Sequence, residues 1–370
     1  MQREGLYRRL SDALERTTGT ARRSAPRRGS PDAGRRRPRG GLGRLLVLIA
    51  AAASLAGCGG STDPSTPADR HAAIPQNAVK VTPQTDVFPP VVHDPAWSDA
   101  VPLEGTVNTA GGEDSPFVSP DGSVFLFWFT PDVSVPAENQ VADGVTGIWV
   151  ALEDGVRAGH AGFGRALDEP TFVDLSDVPS LEGCPTLFGD DLWFCSIRGG
   201  NHGEHDVWFA ERAGARTWSN WQNAGARLNA EIDVGEWHLD ASGDTLYFGA
   251  DIPGGYGSSD LYYVVRTGTT WSDPVNLGPD VNTAASESRP FVTPDGAELW
   301  YTGASGLGYH GPAVLLSRRT GSDWDPPIEV ISNYAAEPCV NEAGDIYFAH
   351  HFMDSSEVMI EADIYVARKR

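Results

Sequence analysis

The chain has 370 residues, 28 basic and 50 acidic side chains, a formal net charge of −22, and 42 glycines and 27 prolines. An acidic surface of this size repels nucleic acid and anionic lipid headgroups at long range, which leaves cations, cationic peptides and neutral glycans as partners. The plain alternative is that the charge only keeps the protein in solution.

Residues 1–57 stand apart from the rest. They are Arg-rich, then apolar over 45–56, and end in Leu55-Ala56-Gly57-Cys58. The apolar run is too short for a bilayer that needs about 20 residues, and it reads as a cleaved export signal. It resembles the lipobox of a bacterial lipoprotein. The resemblance implies that Cys58 becomes the N-terminus, carries the acyl chains (palmitate among them) and holds the protein in the cell envelope. Gly59 is not the aspartate of inner-membrane retention, so the resemblance implies the outer membrane. Residues 1–57 hold 13 arginines and 4 acidic residues, so removing them leaves 15 basic against 46 acidic side chains, a formal charge of −31. Residues 58–90 begin G-G-S-T-D-P-S-T-P after the cysteine and lack an apolar period; they read as a flexible tether.

From residue 91 onward one unit recurs. Copies start at Glu113, Glu182, Glu236, Glu287 and Glu337; the first reads E-D-S-P-F-V-S-P-D-G and the fourth E-S-R-P-F-V-T-P-D-G. Each is an alternating strand, a hairpin turn such as Pro294-Asp295-Gly296, and an aromatic-rich return strand such as Leu299-Trp300-Tyr301. A glycine-rich loop leads to a third strand, as in Asp206-Val207-Trp208, Asp260-Leu261-Tyr262 and Asp363-Ile364-Tyr365. A fourth follows a tryptophan, with Trp218, Trp271 and Trp324 spaced 53 apart. A period near 50 residues built of short strands is the mark of propeller blades.

The spacing therefore predicts an all-β fold, a single β-propeller of five four-stranded blades over 91–370. The chain stops after the third strand of unit five, and W-S-D-A-V-P-L at 97–103 matches the missing fourth strand. The N-terminal strand is expected to complete the last blade and remove the open edges. Unit one carries an insertion at 131–146 and lacks the third-strand aspartate at Gly147-Ile148-Trp149. Unit four has Pro312-Ala313-Val314 at that place. The pattern E-x-x-P-F-V-T-P-D-G…L-W-Y…S-D-L-Y…W-S-D-P-V-N-L-G resembles the WD40-like repeat of the TolB type. That resemblance implies an envelope propeller which binds a protein or a peptidoglycan or polysaccharide partner.

Symmetry predicts that Glu113, Glu182, Glu236, Glu287 and Glu337 gather near one channel mouth. Either a cation or arginine compensates them, or each caps a neighbouring blade's loop by accepting from backbone N–H groups. Asp206, Asp260 and Asp363 invite the same reading. Residues outside the repeat are more specific. His202 and His205 flank Glu204 in one loop, His310 and the pair His350 and His351 lie in corresponding loops, and His238 and Arg289 each follow a glutamate by two. His202, His205, His238, His310 and His350 are candidate ligands for Zn²⁺, Mn²⁺ or Ca²⁺; the alternative is ordinary solvated loop residues, since this spacing fixes no geometry. Counting back from Gly189-Asp190 sets Cys184 across from Cys195, in reach of a disulfide, while Cys339 reads as a buried thiol.

No nucleophile elbow, phosphate loop or zinc-protease helix occurs. The expectation is a monomeric, lipid-anchored binding or scaffold module that requires no cofactor and binds no nucleic acid. The rivals are a metal-assisted carbohydrate lyase or glycosidase, with Trp237 and Tyr256 stacking on sugar, and a purely structural module.

Overall fold

A computed structural model describes residues 69–140, 143–153, 167–177, 180–203, 205–232, 234 and 236–370. The export signal, Cys58 and the first part of the expected tether lie outside the described residues, as does Glu204.

Strands dominate, and helix is confined among the described residues to Arg70–Ala73, Ala137–Asn139 and Arg227–Ile232. Each repeat unit folds as an antiparallel set in chain order. Unit one runs Gly112–Val118, Val124–Thr130, Gly147–Leu152 and Thr171–Phe172. Unit two runs Leu181–Phe188, Asp191–Ile197, Asp206–Arg212 and Trp218–Asn223. Unit three runs Trp237–Leu239, Thr245–Ala250, Asp260–Thr267 and Val275–Asn276. Unit four runs Ser288–Val292, Glu298–Ala304, Pro312–Thr320 and Ile328–Ser332. Unit five supplies Ala335–Val340, Ile346–Met353 and Met359–Ala367. Val101–Pro102 pairs with its last strand, Val101 opposite Val366 and Pro102 opposite Tyr365. Trp97 locks the same corner: its indole meets Trp300 edge-on at 5.4 Å and donates to the Gly344 carbonyl at 2.8 Å.

The hairpins turn where the glycines are. Gly122, Gly243, Gly296 and Gly344 have φ of 76°, 72°, 70° and 83°, a region that costs an L side chain but not glycine. The return strands bury Phe125, Phe127, Phe129, Phe194, Phe248 and Trp300 between units. The first strand of each unit touches the first strand of the next, and that of unit five touches that of unit one.

Residues 69–92 depart from the tether expectation, because they lie against the propeller. Arg70 is buried; its guanidinium donates to the carbonyls of Thr106 and Val107, sits 3.5 Å from Glu113, and faces the rings of Phe127, Phe129 and Trp149. Lys80 bridges Glu361 and Asp363, and the Val81 N–H donates to Glu361 at 2.8 Å. Asp86 pairs with buried His350 at 2.9 Å, Phe88 packs on His310 and Tyr334, and Val91–Val92 adds a strand outside unit four. The composition of 58–90 offers little apolar surface. What holds this strap is a series of single side chains, Arg70, Lys80 and Asp86, each meeting a polar or charged partner on the propeller, and composition does not register that.

Candidate functional site

The site begins with a bulge in the first strands. Between Asp114 and Phe117, Gly183 and Thr186, Ser288 and Phe291, and Ala336 and Cys339, the pairing register slips. The residue at the slip precedes a proline and has positive φ: Ser115 (49°), Cys184 (52°), Arg289 (52°) and Glu337 (59°). Bulges re-aim a side chain, and here they turn these residues toward one another. Glu236 holds the same place in unit three, seven residues before the turn glycine, as do Ser115, Arg289 and Glu337.

Arg289 is the hub. Its Nε lies 2.7 Å from Glu236, an Nη lies 3.2 Å from Glu337, and another donates to the Ser115 hydroxyl at 2.9 Å. The Ser115 N–H donates to the other Glu337 oxygen at 2.7 Å. Burial works against the guanidinium charge, but Glu236, Glu337 and Asp114 outweigh it and hold Arg289 above its usual range. Burial raises Glu236, and burial together with the Glu337 charge raises the Asp114 carboxyl well above the usual range. Ligand atoms of Asp114, Glu337 and His351 lie within 4.8 Å of one another.

The five glutamates are therefore two sets. Glu113, Glu182 and Glu287 stand before the bulge, where unit five has Ala335, while Glu337 stands in it and Glu236 at the equivalent place of unit three. Members of the first set are held by donors of their own unit or entry loop. The Thr109 N–H donates to Glu113 at 3.0 Å and the Thr283 N–H to Glu287 at 3.1 Å, with both threonine hydroxyls adding a second bond. Glu182 accepts from Arg198 at 2.7 Å and Ser196 at 3.2 Å. Capping is thus the role of Glu113 and Glu287, but of the loop four residues upstream and not of a neighbouring blade. Asp206 and Asp260 cap in the same way, accepting from the N–H groups of His202 and Gly203 and of Tyr256 and Gly257. Asp363 instead faces Lys80.

Two cavities meet at Ser115, Cys184 and Arg289, which line both. The smaller is walled by Trp237, His238, Phe291, Pro338 and Cys339. The larger is an open cleft enclosing about 710 Å³ including its mouth. Asp114, Glu236 and Arg289 lie along it with Trp128, Leu181, Ile197, His205 and the cystine. Apolar walls, one indole and a few convergent charges are the usual makeup of a ligand site.

The candidate histidines do not assemble. His202 is exposed in its loop, and His310 is half exposed, 3.4 Å from Glu357. His350 is tied to Asp86. His238 donates from Nε2 to the Val292 carbonyl at 3.2 Å, packs against Phe291 and is driven down to about 4 by burial. His205 lines the cleft, and the imidazole beside the carboxylates is His351, the strand neighbour of His350 with the opposite facing. Of the two candidate stacking residues, Trp237 is buried against Trp193 and Tyr256 is exposed outside the cleft; the cleft's indole is Trp128, in the return strand of unit one. Cys184 and Cys195 form a disulfide with a Cα separation of 5.5 Å. The register differs from simple counting, because Gly183 opposes Cys195 and Cys184 sits in the bulge. The Cys339 thiol is free and buried, pushed up to about 12 by burial.

No family model matches the chain, and no curated protein matches it. Among solved structures the chain is similar to a putative TolB from Agrobacterium tumefaciens, with 13% identity over 70% of this chain and 84% of that one and a TM-score of 0.39. TolB from Acinetobacter baumannii matches at 11% over 71% of this chain and 55% of that one, TM-score 0.40. An α-L-arabinofuranosidase from Lactobacillus brevis matches at 13% over 72% and 94%, TM-score 0.47. Similarity of this order concerns the all-β propeller fold and does not reach the site.

Proposed function

We propose that this chain is a lipid-anchored binding module of the cell envelope, a five-bladed propeller closed by its N-terminal strand, which takes a protein or glycan partner in the cleft beside Trp128. The ring reading is supported by first strands that neighbour one another in cyclic order and by the pairing of Val101 with Val366. The observation that carries the function is the contrast between the carboxylates and the cleft. Glu113 and Glu287 are held by donors of their own chain outside the cleft, whereas the open cleft is lined by Arg289 with Asp114 and Glu236. A sugar ring or a flat side chain would lie on the Trp128 indole and direct its polar edge at those charges.

Anchoring at Cys58 and the outer-membrane location belong to the same proposal. A photoreactive amino acid in place of Trp128 should give adducts in intact envelopes, while one at Val275, exposed on an outer strand, should not. Equal yields from both positions, or none from either, would remove the cleft from the account.

A second reading has its own support. Asp114 and Glu236 share the cleft floor with carboxyls raised by burial, Asp114 the further of the two, and carboxylates in unlike environments are what glycoside cleavage uses. Turnover of neutral or acidic polysaccharides that is lost in Asp114→Asn and in Glu236→Gln would favour the enzyme over the binding module.

A further inference from the structure

We infer that Asp114, Glu337 and His351 form a binding site for one divalent transition-metal ion, of the Zn²⁺ or Mn²⁺ class, beside the cleft that Asp114 lines. The inference stands apart from what fills the cleft. Three ligand atoms, two carboxylate oxygens and one imidazole nitrogen, lie within 4.8 Å of one another. Bonds near 2.0–2.2 Å hold ligand atoms at most about 4.4 Å apart, so an ion would draw the three side chains slightly together.

The donor set comes from separate elements. Glu337 is the bulge residue of unit five, Asp114 directly precedes that of unit one, and His351 lies on the return strand of unit five. The His351 side chain makes no hydrogen bond, ion pair or ring contact with any described residue. Its backbone N–H is fixed to the Tyr334 carbonyl at 3.0 Å.

Charge supplies an independent argument. Asp114, Glu236 and Glu337 bring three carboxylates together, and among the described residues Arg289 is the one cation paired with them. The guanidinium lies closer to Glu236, at 2.7 Å, than to Glu337, at 3.2 Å. With all three ionised, two negative charges are left over, which is what a divalent ion matches. Glu337 is already oriented for this role, since the Ser115 N–H and Arg289 each engage one oxygen and leave a further lone pair on each. Outer donors of this kind commonly hold ligating carboxylates in place. Asp114 lines the open cleft, which provides an entry path. A nitrogen ligand selects against Ca²⁺ and Mg²⁺, which take oxygen.

The test is calorimetric titration of chelator-stripped protein with ZnCl₂, MnCl₂ and CaCl₂, with thermal melts alongside. One equivalent of Zn²⁺ or Mn²⁺ should bind and raise the Tm by several degrees, with Ca²⁺ at least tenfold weaker. Asp114→Asn and His351→Gln should each weaken binding at least tenfold, whereas Glu357→Gln, in an outlying loop, should not. Absence of saturable binding at millimolar ion, or equal binding in all variants, overturns the site. If the variants do not fold, electron spin-echo spectra of the Mn²⁺-loaded wild-type protein decide: modulation from one imidazole nitrogen is expected, and its absence overturns the proposal.

Discussion

At the scale of single residues, Arg289 determines whether the centre of the molecule is a tolerable place for acids. Removing one member of a buried ion pair leaves the others uncompensated, at a cost of about 3–5 kcal/mol. Arg289→Met should therefore lower stability in urea by about that much at pH 7. The loss should shrink at pH 5, because the carboxyls of Asp114 and Glu236 are already raised and take up protons there. Glu113 gives a second pH signal. Burial raises it from 4.5 to about 8, so between those values the folded chain holds more protons than the unfolded chain, and stability falls as pH rises through the window. Glu113→Gln should flatten the slope of the urea midpoint between pH 5 and 8, whatever its effect on absolute stability. Some slope should remain, since burial also raises Asp363 to about 7.

The repeat made all five glutamates visible but not their difference. Counted from the turn glycine, Glu113 and Glu287 stand nine residues ahead and Glu236 and Glu337 seven. The prolines carried the same message, since Glu337 directly precedes Pro338 where Glu287 is three residues from Pro290. Arg289 could have been recognised as the hub on that count. His351 could not, because which of two adjacent strand residues faces inward depends on a register that spacing alone leaves open.

At the scale of elements, hairpins and third strands were legible because turn glycines and alternation act locally. The strap was not, because its contacts join residues far apart in sequence. Arg70 reaches Glu113, Lys80 reaches Glu361 and Asp363, and Asp86 reaches His350. Arg70→Met would leave the Thr106 and Val107 carbonyls without their donor and should cost about 1–3 kcal/mol. A strap that acted only as a tether would show no change in the unfolding midpoint. The cystine closes a loop of sequence separation 11 at the cleft wall. Replacing both cysteines with serine should cost about 2–3 kcal/mol on the loop-entropy scale, read from urea curves of the pair against the oxidised wild type.

At the scale of the whole molecule, the account depends on the last unit taking its fourth strand from the other end of the chain. Closure would bring unit five beside unit one, and with them Glu337 and His351 beside Asp114. The most direct test is a Val101→Cys, Val366→Cys pair in the chain from residue 69, oxidised at low protein concentration. The account predicts rapid formation of a disulfide within one chain, with the thermal transition kept or raised. No crosslink, or crosslinks only between chains, would contradict closure by this strand.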